Sequence, residues 1–443
     1  MWLMWKRARL LVPVTLAMTF GFLWMLADVM YIELSGPRGE LYASELQRGI
    51  GGGSSAGALA VFYALFVAAM LLLFSEGRLG ELRREWAMPP ERDRVLGVDV
   101  FAAGKVVLLL LVVGTYTELL RGGVPLLAGI DRGAFALQAG PIVGLLYRYE
   151  IYLCLMAGVL YVEDARRGHA GVRSVVAGCI GGLVLAYVMM GHKFSGIFFN
   201  LLLFAIPISL ASLDGVHRFA WLTARRAVVA VGLGVLFTLT VKAYLTRFAN
   251  SATLTYYLEQ RLLIQQGELW WSAWDRVVEA GQFDPETARD AVFHHPVTET
   301  TIYTGNTSLT YLMYLERGSP VHGLFVNGYL FTGASPTILL ELFGPAGGAA
   351  VWFLASLVYA WLLYLFLHAV VRRELIQAVF ISFVFGLYHN VMVGGHMTEF
   401  ASRSFWIKVV AMAGVMIVGR EWRRFQGSGL SVALPESAPR ATP

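Results

Sequence analysis

The sequence predicts an all-α, polytopic integral membrane fold of about ten transmembrane helices, with one large extracytoplasmic loop containing amphipathic helices. Three observations carry that prediction. The chain of 443 residues is 57% hydrophobic and 15% charged, a balance foreign to soluble domains. Its apolar runs are continuous and about 20 residues long, as a helix crossing hydrocarbon requires, whereas barrel strands would alternate over about 10. Its basic residues, finally, gather in alternate loops, the pattern of inserted helical proteins.

The elements follow in order. Met1 to Arg9 is short and basic, and Leu10 to Tyr31 is too long an apolar run for a cleaved signal, so it reads as a first span that is its own insertion signal. The Gly-rich tract Ile50 to Gly57 leads into span two, Ala56 to Phe74. As a sequence, that tract fits either a flexible loop or an anion-binding nest at a helix start. A charged loop with Arg78, Arg83 and Arg84 follows, then spans three and four near Val98 to Tyr116 and Pro141 to Tyr161. Lys105 and Arg148 fall inside these spans, and Glu118 or Glu150 could pair with them. Spans five and six, Ser174 to Met190 and Ser195 to Leu210, are joined only by Gly191, His192, Lys193 and Phe194. Span seven is Ala227 to Leu245.

After the long loop, Ser335-Pro336 has the form of an N-cap with proline at the first helical position, opening a helix that carries Glu341 and stops before Gly344-Pro345. That helix is too short to span. Gly347 to Val370, Glu374 to Val393 and Phe405 to Val418 are spans eight to ten. The chain thus divides into residues 1–245 with spans one to seven, an extracytoplasmic loop domain at 246–335, residues 336–426 with the re-entrant or interfacial helix and spans eight to ten, and a disordered tail at 427–443 rich in Ser, Pro and Ala. In this order the cytoplasmic segments hold 20 Lys and Arg and the short outer loops 6, which places both termini in the cytoplasm. The five arginines of the long loop do not oppose this, because long loops translocate regardless of charge.

Both cysteines, Cys154 and Cys179, lie inside spans and read as small core residues, with no disulfide framework or thiolate metal site. No P-loop, zinc-peptidase, paired Cys or D-x-D signature occurs. Any enzyme here is expected to work without metal, cofactor or ATP, and nothing points to nucleic acid.

The chemistry is therefore sought in the outer loop. Its centre, Leu254 to Arg276, reads LTYYLEQRLLIQQGELWWSAWDR. As a helix it puts Arg261, Gln265, Glu268, Ser272 and Asp275 on one stripe, with Leu258, Leu262, Leu269, Trp270 and Ala273 opposite. Gly267 costs such a helix about 1 kcal/mol relative to Ala and is where it would divide. Two readings stand: an interfacial helix with a solvated charged face, and a cleft in which Arg holds phosphate while Trp270, Trp271 and Trp274 stack on sugars. His389 lies within span nine beside Tyr388 and Asn390. An ionisable group there is either functional or a neutral histidine hydrogen-bonded inside the bundle.

These residues resemble the bacterial O-antigen and oligosaccharide repeat-unit polymerases, the Wzy-type membrane glycosyltransferases. The likeness rests on many spans with one large outer loop, the Gly191-His192-Lys193 hairpin, and the run SPTILLELFGPAGG from Ser335 to Gly348. Where Lys193 stands the family more often has arginine, which changes bidentate phosphate holding but not the charge. The resemblance implies an inverting transfer at the periplasmic face of the bacterial inner membrane, from undecaprenyl diphosphate to the next lipid-linked repeat unit, with inner membrane lipids and a chain-length regulator as partners. It assigns Lys193, Arg261, Arg403 and Arg276 to the diphosphate, Glu268 or His389 to the acceptor proton, and Gln265 with the three tryptophans to the glycan. The rival readings are an O-antigen ligase, a lipid-linked glycan flippase or transporter, and a non-catalytic membrane partner of a polysaccharide export system. For the flippase or transporter, GRLGELRRE from Gly77 to Glu85 is a loose match to a transporter loop, but the spans do not form a six-plus-six repeat.

Overall fold

The computed structural model describes residues 10–35, 42–43, 48–88, 94–95, 98–128, 130, 135, 138–167, 170–191, 194–214, 259–260, 262–293 and 335–428. Span seven, Lys193, Arg261, most of the 246–335 loop and residues 429–443 of the expected tail lie outside the described residues, whereas Gly427 and Ser428 belong to the last helix. Helix dominates the rest. Among the described residues, only two ladders of two residues per strand depart from it, Tyr42–Ala43 with Arg48–Gly49 and Arg94–Val95 with Val98–Asp99.

The helices are α1 Leu11–Leu34, α2 Ser55–Leu73, α3 Glu76–Trp86, α4 Val100–Gly122, α5 Pro141–Arg166, α6 Ala170–Met189, α7 Phe194–Ile208, α8 Glu268–Trp274, α9 Pro285–Phe293, α10 Ser335–Val371, α11 Leu375–Gly394 and α12 Arg403–Ser428. Six of them, α1, α2, α4, α5, α10 and α11, are long and apolar enough to cross a membrane. They fall where spans one to four, eight and nine were expected. The shorter apolar helices α6 and α7 stand at spans five and six, and α12 at span ten.

Local chemistry fixes several helix starts. Asp99 accepts from the Phe101 and Ala102 amides and opens α4. Glu118, from the far end of α4, accepts from the Ile142 and Val143 amides at 3.0 and 2.8 Å and opens α5. Such carboxylates satisfy orphan N–H groups and meet the positive end of the helix dipole. Gly344, at φ 69° and ψ −178°, breaks α10 into a short buried helix at 335–343 and a long one at 345–371, because only glycine enters that backbone region freely. The division expected from SPTILLELFGPAGG is therefore present.

The long part of α10 is the central element, packed between α2 and α11 with Trp352, Tyr359, Leu363 and Phe366 fully enclosed. In hydrocarbon, apolar burial between helices adds little, so interhelical bonds and close packing hold the bundle. Trp352 donates to the Phe62 carbonyl at 2.9 Å, Tyr388 to Ala355 at 3.0 Å and Tyr116 to Gly182 at 2.9 Å. The outward faces of α4 and α12 carry exposed Val107, Leu110, Ile407 and Val410, where acyl chains would lie. Cys154 and Cys179 are buried and free, as expected of core residues.

The two ends of the bundle differ in charge. One is basic and cross-linked: Arg167 pairs with Glu163 and Asp99, Arg373 with Glu163 at 2.5 Å, and Arg166 covers the Trp86 ring at 4.2 Å. Lys105 belongs to this end. Its partner is Asp164 at 2.7 Å and not Glu118 or Glu150. Antiparallel packing of α4 on α5 sets the early Lys105 beside the late Asp164 and carries Glu118 to the opposite end. The opposite end holds the start of α2, the end of α1, and α8 and α9 from the segment that precedes α10.

Candidate functional site

At that opposite end, one stripe of α1 holds the outer loop. Trp24, Asp28 and Tyr31 fall at i, i+4 and i+7, one face of a helix. Trp24 donates to the Leu262 carbonyl at 3.1 Å, Asp28 accepts from the Gln266 amide at 3.0 Å, and Tyr31 donates to Glu259 at 2.5 Å. Asp28 is fully buried, and among the described residues its Oδ1 has no hydrogen-bond partner. The fit is close at Gly267, where a Cβ would stand 2.6 Å from the Val29 nitrogen and 2.8 Å from the Asp28 Cβ. The chain turns there, so the predicted helix is split at this glycine.

The start of α2 supplies the second wall. Gly51, Gly52 and Gly53 all have positive φ, and Gly52 accepts from the Trp271 indole at 3.0 Å while Ser55 accepts from Trp270 at 3.1 Å. Glu33 accepts from the Ser55 and Ala56 amides at 2.5 and 3.1 Å, and Glu279 from the Ser54 amide and hydroxyl, each at 3.0 Å. The glycine tract is thus an anion nest at a helix start, filled by the protein's own carboxylates.

The short helix 335–343 closes the site from below. It is buried from Ser335 to Glu341, and Ser335 is hydrogen-bonded to the Val391 carbonyl of α11. Glu341, 1% exposed, pairs with Arg276, which retains 20% of its side-chain surface. Two residues before Val391, His389 is buried with Nδ1 3.1 Å from the Tyr359 hydroxyl. His396, just past α11, has its pKa pushed down by burial.

The expected site residues therefore take several places. Gln265, Glu268 and Ser272 are buried, so their stripe faces into the protein and the solvated-face reading is set aside. The reason is that α1, α2 and α10 surround α8, which is buried from Glu268 to Ala273. Trp270 and Trp271 are likewise enclosed, their indole N–H groups engaged by backbone carbonyls, and they act as packing anchors and not as open stacking faces. Trp274 is half-buried against Trp270 at 5.9 Å, and its N–H has no acceptor among the described residues. Arg276 sits in the cluster, His389 lies on the neighbouring wall, and Arg403 is exposed in the first turn of α12. Asp28, Glu33 and the Glu341 pairing were not read as site features from the sequence. Asp28 carried a usable signal, an ionisable residue inside an apolar run.

What results is a buried polar region at a bundle end, in which Arg276 pairs with Glu341, Asp28 and Glu268 are buried on neighbouring elements, and Asp28 Oδ1 and the Trp274 N–H have no hydrogen-bond partner among the described residues. Carboxylates held in low dielectric beside a cation suit proton transfer and stabilisation of charge on a bound group. A family model of unknown function, DUF6418, matches residues 304–407, a segment that includes Glu341, His389 and Arg403. Comparisons with curated proteins and with solved structures give no match.

Proposed function

We propose that this chain is a membrane glycosyltransferase that polymerises lipid-linked oligosaccharide repeat units, with its site at the bundle end opposite the basic one. The observation that supports this most is the Glu341–Arg276 pair joining a short buried helix to the outer loop, in the SPTILLELFGPAGG segment on which the resemblance rests. By the charge rule the basic end is cytoplasmic, so the cluster faces the periplasm of a bacterial inner membrane.

In this reading the acceptor sugar's hydroxyl oxygen attacks the anomeric carbon of the growing glycan. The bond to the diphosphate oxygen breaks, undecaprenyl diphosphate leaves with the electron pair, and the anomeric centre inverts. Glu268 takes the hydroxyl proton; it lies on the same loop segment as Arg276, two helical turns away, whereas His389 is engaged by Tyr359. Arg276, with Lys193, Arg261 and Arg403, meets the charge that grows on the diphosphate. Trp274, with its uncommitted N–H, offers the sugar contact that enclosed Trp270 and Trp271 do not. No metal is required for these steps.

The test is the lipopolysaccharide of a deletion strain. A core carrying a single repeat unit, restored to a ladder by the wild type but not by Glu268→Gln at equal membrane abundance, is the expected result. A core with no repeat unit would indicate ligase or flippase instead, and an unchanged ladder would refute the proposal.

A further inference from the structure

The basic end contains a second constellation that the proposed chemistry does not use. Glu81 and Glu85 stand one turn apart on α3, facing His368 near the end of α10. His368 Nε2 is 3.4 Å from Glu81 Oε1 and 3.3 Å from Glu85 Oε2, and all three atoms lie within 4.8 Å of one another. Each carboxylate is held by its other oxygen. Tyr364 donates to Glu81 Oε2 at 2.9 Å, and Arg372 Nε donates to Glu85 Oε1 at 2.7 Å. One oxygen of each glutamate is thereby fixed, and the remaining one is aimed at the same imidazole nitrogen.

Hydrogen bonding alone leaves this arrangement incomplete. A single ring N–H serves one acceptor well, whereas here two carboxylate oxygens, at 3.4 and 3.3 Å, share one ring nitrogen. Among the described residues the buried Glu85 Oε2 accepts no hydrogen bond, and its polar neighbour is that same imidazole nitrogen at 3.3 Å. Three atoms at these separations share a point at most about 2.4 Å from each, in the range of the roughly 2.0–2.2 Å of zinc–nitrogen and zinc–carboxylate bonds. Glu81 is half-exposed, with 46% of its side-chain surface accessible, so an ion has a path in and a water can complete a tetrahedron.

We propose that Glu81, Glu85 and His368 bind one divalent transition-metal ion of the zinc class. One imidazole and two carboxylates select such a borderline ion over calcium or magnesium, which prefer all-oxygen shells. Tyr364 and Arg372 orient the ligands, as hydrogen-bonding neighbours of metal ligands do; Arg372 bonds the outer oxygen of Glu85 and stands 3.9 Å from the inward Oε1 of Glu81, where it offsets carboxylate charge. The bound ion ties α3 to the end of α10, at the pole away from the proposed transfer chemistry and independent of it.

The experiment uses the full-length protein without a histidine tag, purified in detergent, stripped with chelator and titrated with Co²⁺ and then Zn²⁺. Expected are one Zn²⁺ per chain by mass spectrometry after dialysis and visible Co²⁺ bands that Zn²⁺ abolishes. Glu85→Gln, which preserves shape, and His368→Ala should each lower affinity about 100-fold, and Arg372→Gln about 10-fold, in line with losses seen when ligands or their neighbours are removed. Circular dichroism identifies any variant that fails to fold, and Glu85→Gln then decides. Wild-type protein that retains no Zn²⁺, or Glu85→Gln and His368→Ala that retain it with unchanged affinity, would overturn the proposal.

Discussion

Replacing Gly267 by alanine sets two physical expectations against each other. At φ −102° the backbone accepts alanine, and helix propensity would make the change favourable by about 1 kcal/mol. The structure argues the reverse. The new Cβ would lie 2.6 Å from the Val29 nitrogen, 2.8 Å from the Asp28 Cβ and 2.9 Å from the Val29 Cγ2, and two of these atoms cannot yield without moving α1. Overpacking of this kind costs about 1–3 kcal/mol. Relief by shifting the loop would sacrifice the Gln266 amide bond to Asp28, worth about 0.5–1.5 kcal/mol. Set against the propensity gain, the net is about 1 kcal/mol toward undocking, roughly a 5-fold rise in the open population. Protease digestion of the outer loop in spheroplasts reports that population when opening is fast relative to cleavage. Cleavage of Gly267→Ala should be roughly 5-fold faster than wild type. Cleavage at the wild-type rate or slower would refute the close-approach argument and leave propensity as the governing effect.

Other expectations follow from the same cluster. Arg276→Gln should destabilise more than Glu341→Gln, because Glu341 is 1% exposed and its charge would be stranded while Arg276 can rehydrate; breaking such a pair costs about 3–5 kcal/mol, and the double substitution should recover part of it in thermal melts. Trp270→Phe removes the donor to the enclosed Ser55 carbonyl and should cost about 1–3 kcal/mol, whereas Trp274→Phe removes an N–H with no acceptor among the described residues and should cost measurably less in the same melts. His396 is held neutral by burial, so the unfolded chain binds the proton first as pH falls. Its contribution is complete above the unfolded value of about 6.5 and declines as pH drops from there toward the lowered folded value, so His396→Gln should flatten the fall in melting temperature between pH 7 and 5.

Much of the architecture was legible because hydrocarbon length and charge asymmetry act on local sequence. Leu10 to Tyr31 and Pro141 to Tyr161 marked α1 and α5 to within a few residues, and Gly344-Pro345 announced the break in α10 through the left-handed backbone that glycine admits. The site was less legible because its meaning depends on which surfaces meet. Gln265 and Glu268 lie on a polar stripe by periodicity, yet periodicity does not say whether water or α1 covers it. The tryptophans present the same problem: three aromatic residues fit a glycan platform and a packed dock equally well until Gly52 and Ser55 are seen to accept their indole protons. Asp28 and Glu33 escaped notice because their partners are more than 20 positions away or are backbone amides, which carry no sequence signature.

The dock between the outer loop and the bundle uses main-chain atoms on one side of many of its bonds. Trp24, Trp270 and Trp271 reach carbonyls, while Asp28 and Glu33 reach amides. A carbonyl or amide survives nearly any substitution at its own position. The joint therefore constrains a handful of donors and acceptors while leaving the residues they touch free to drift. Over evolutionary time such a junction can hold its shape as the sequence around it is rewritten, and recognisable motifs would shrink to the few glycines, acids and indoles that cannot be exchanged.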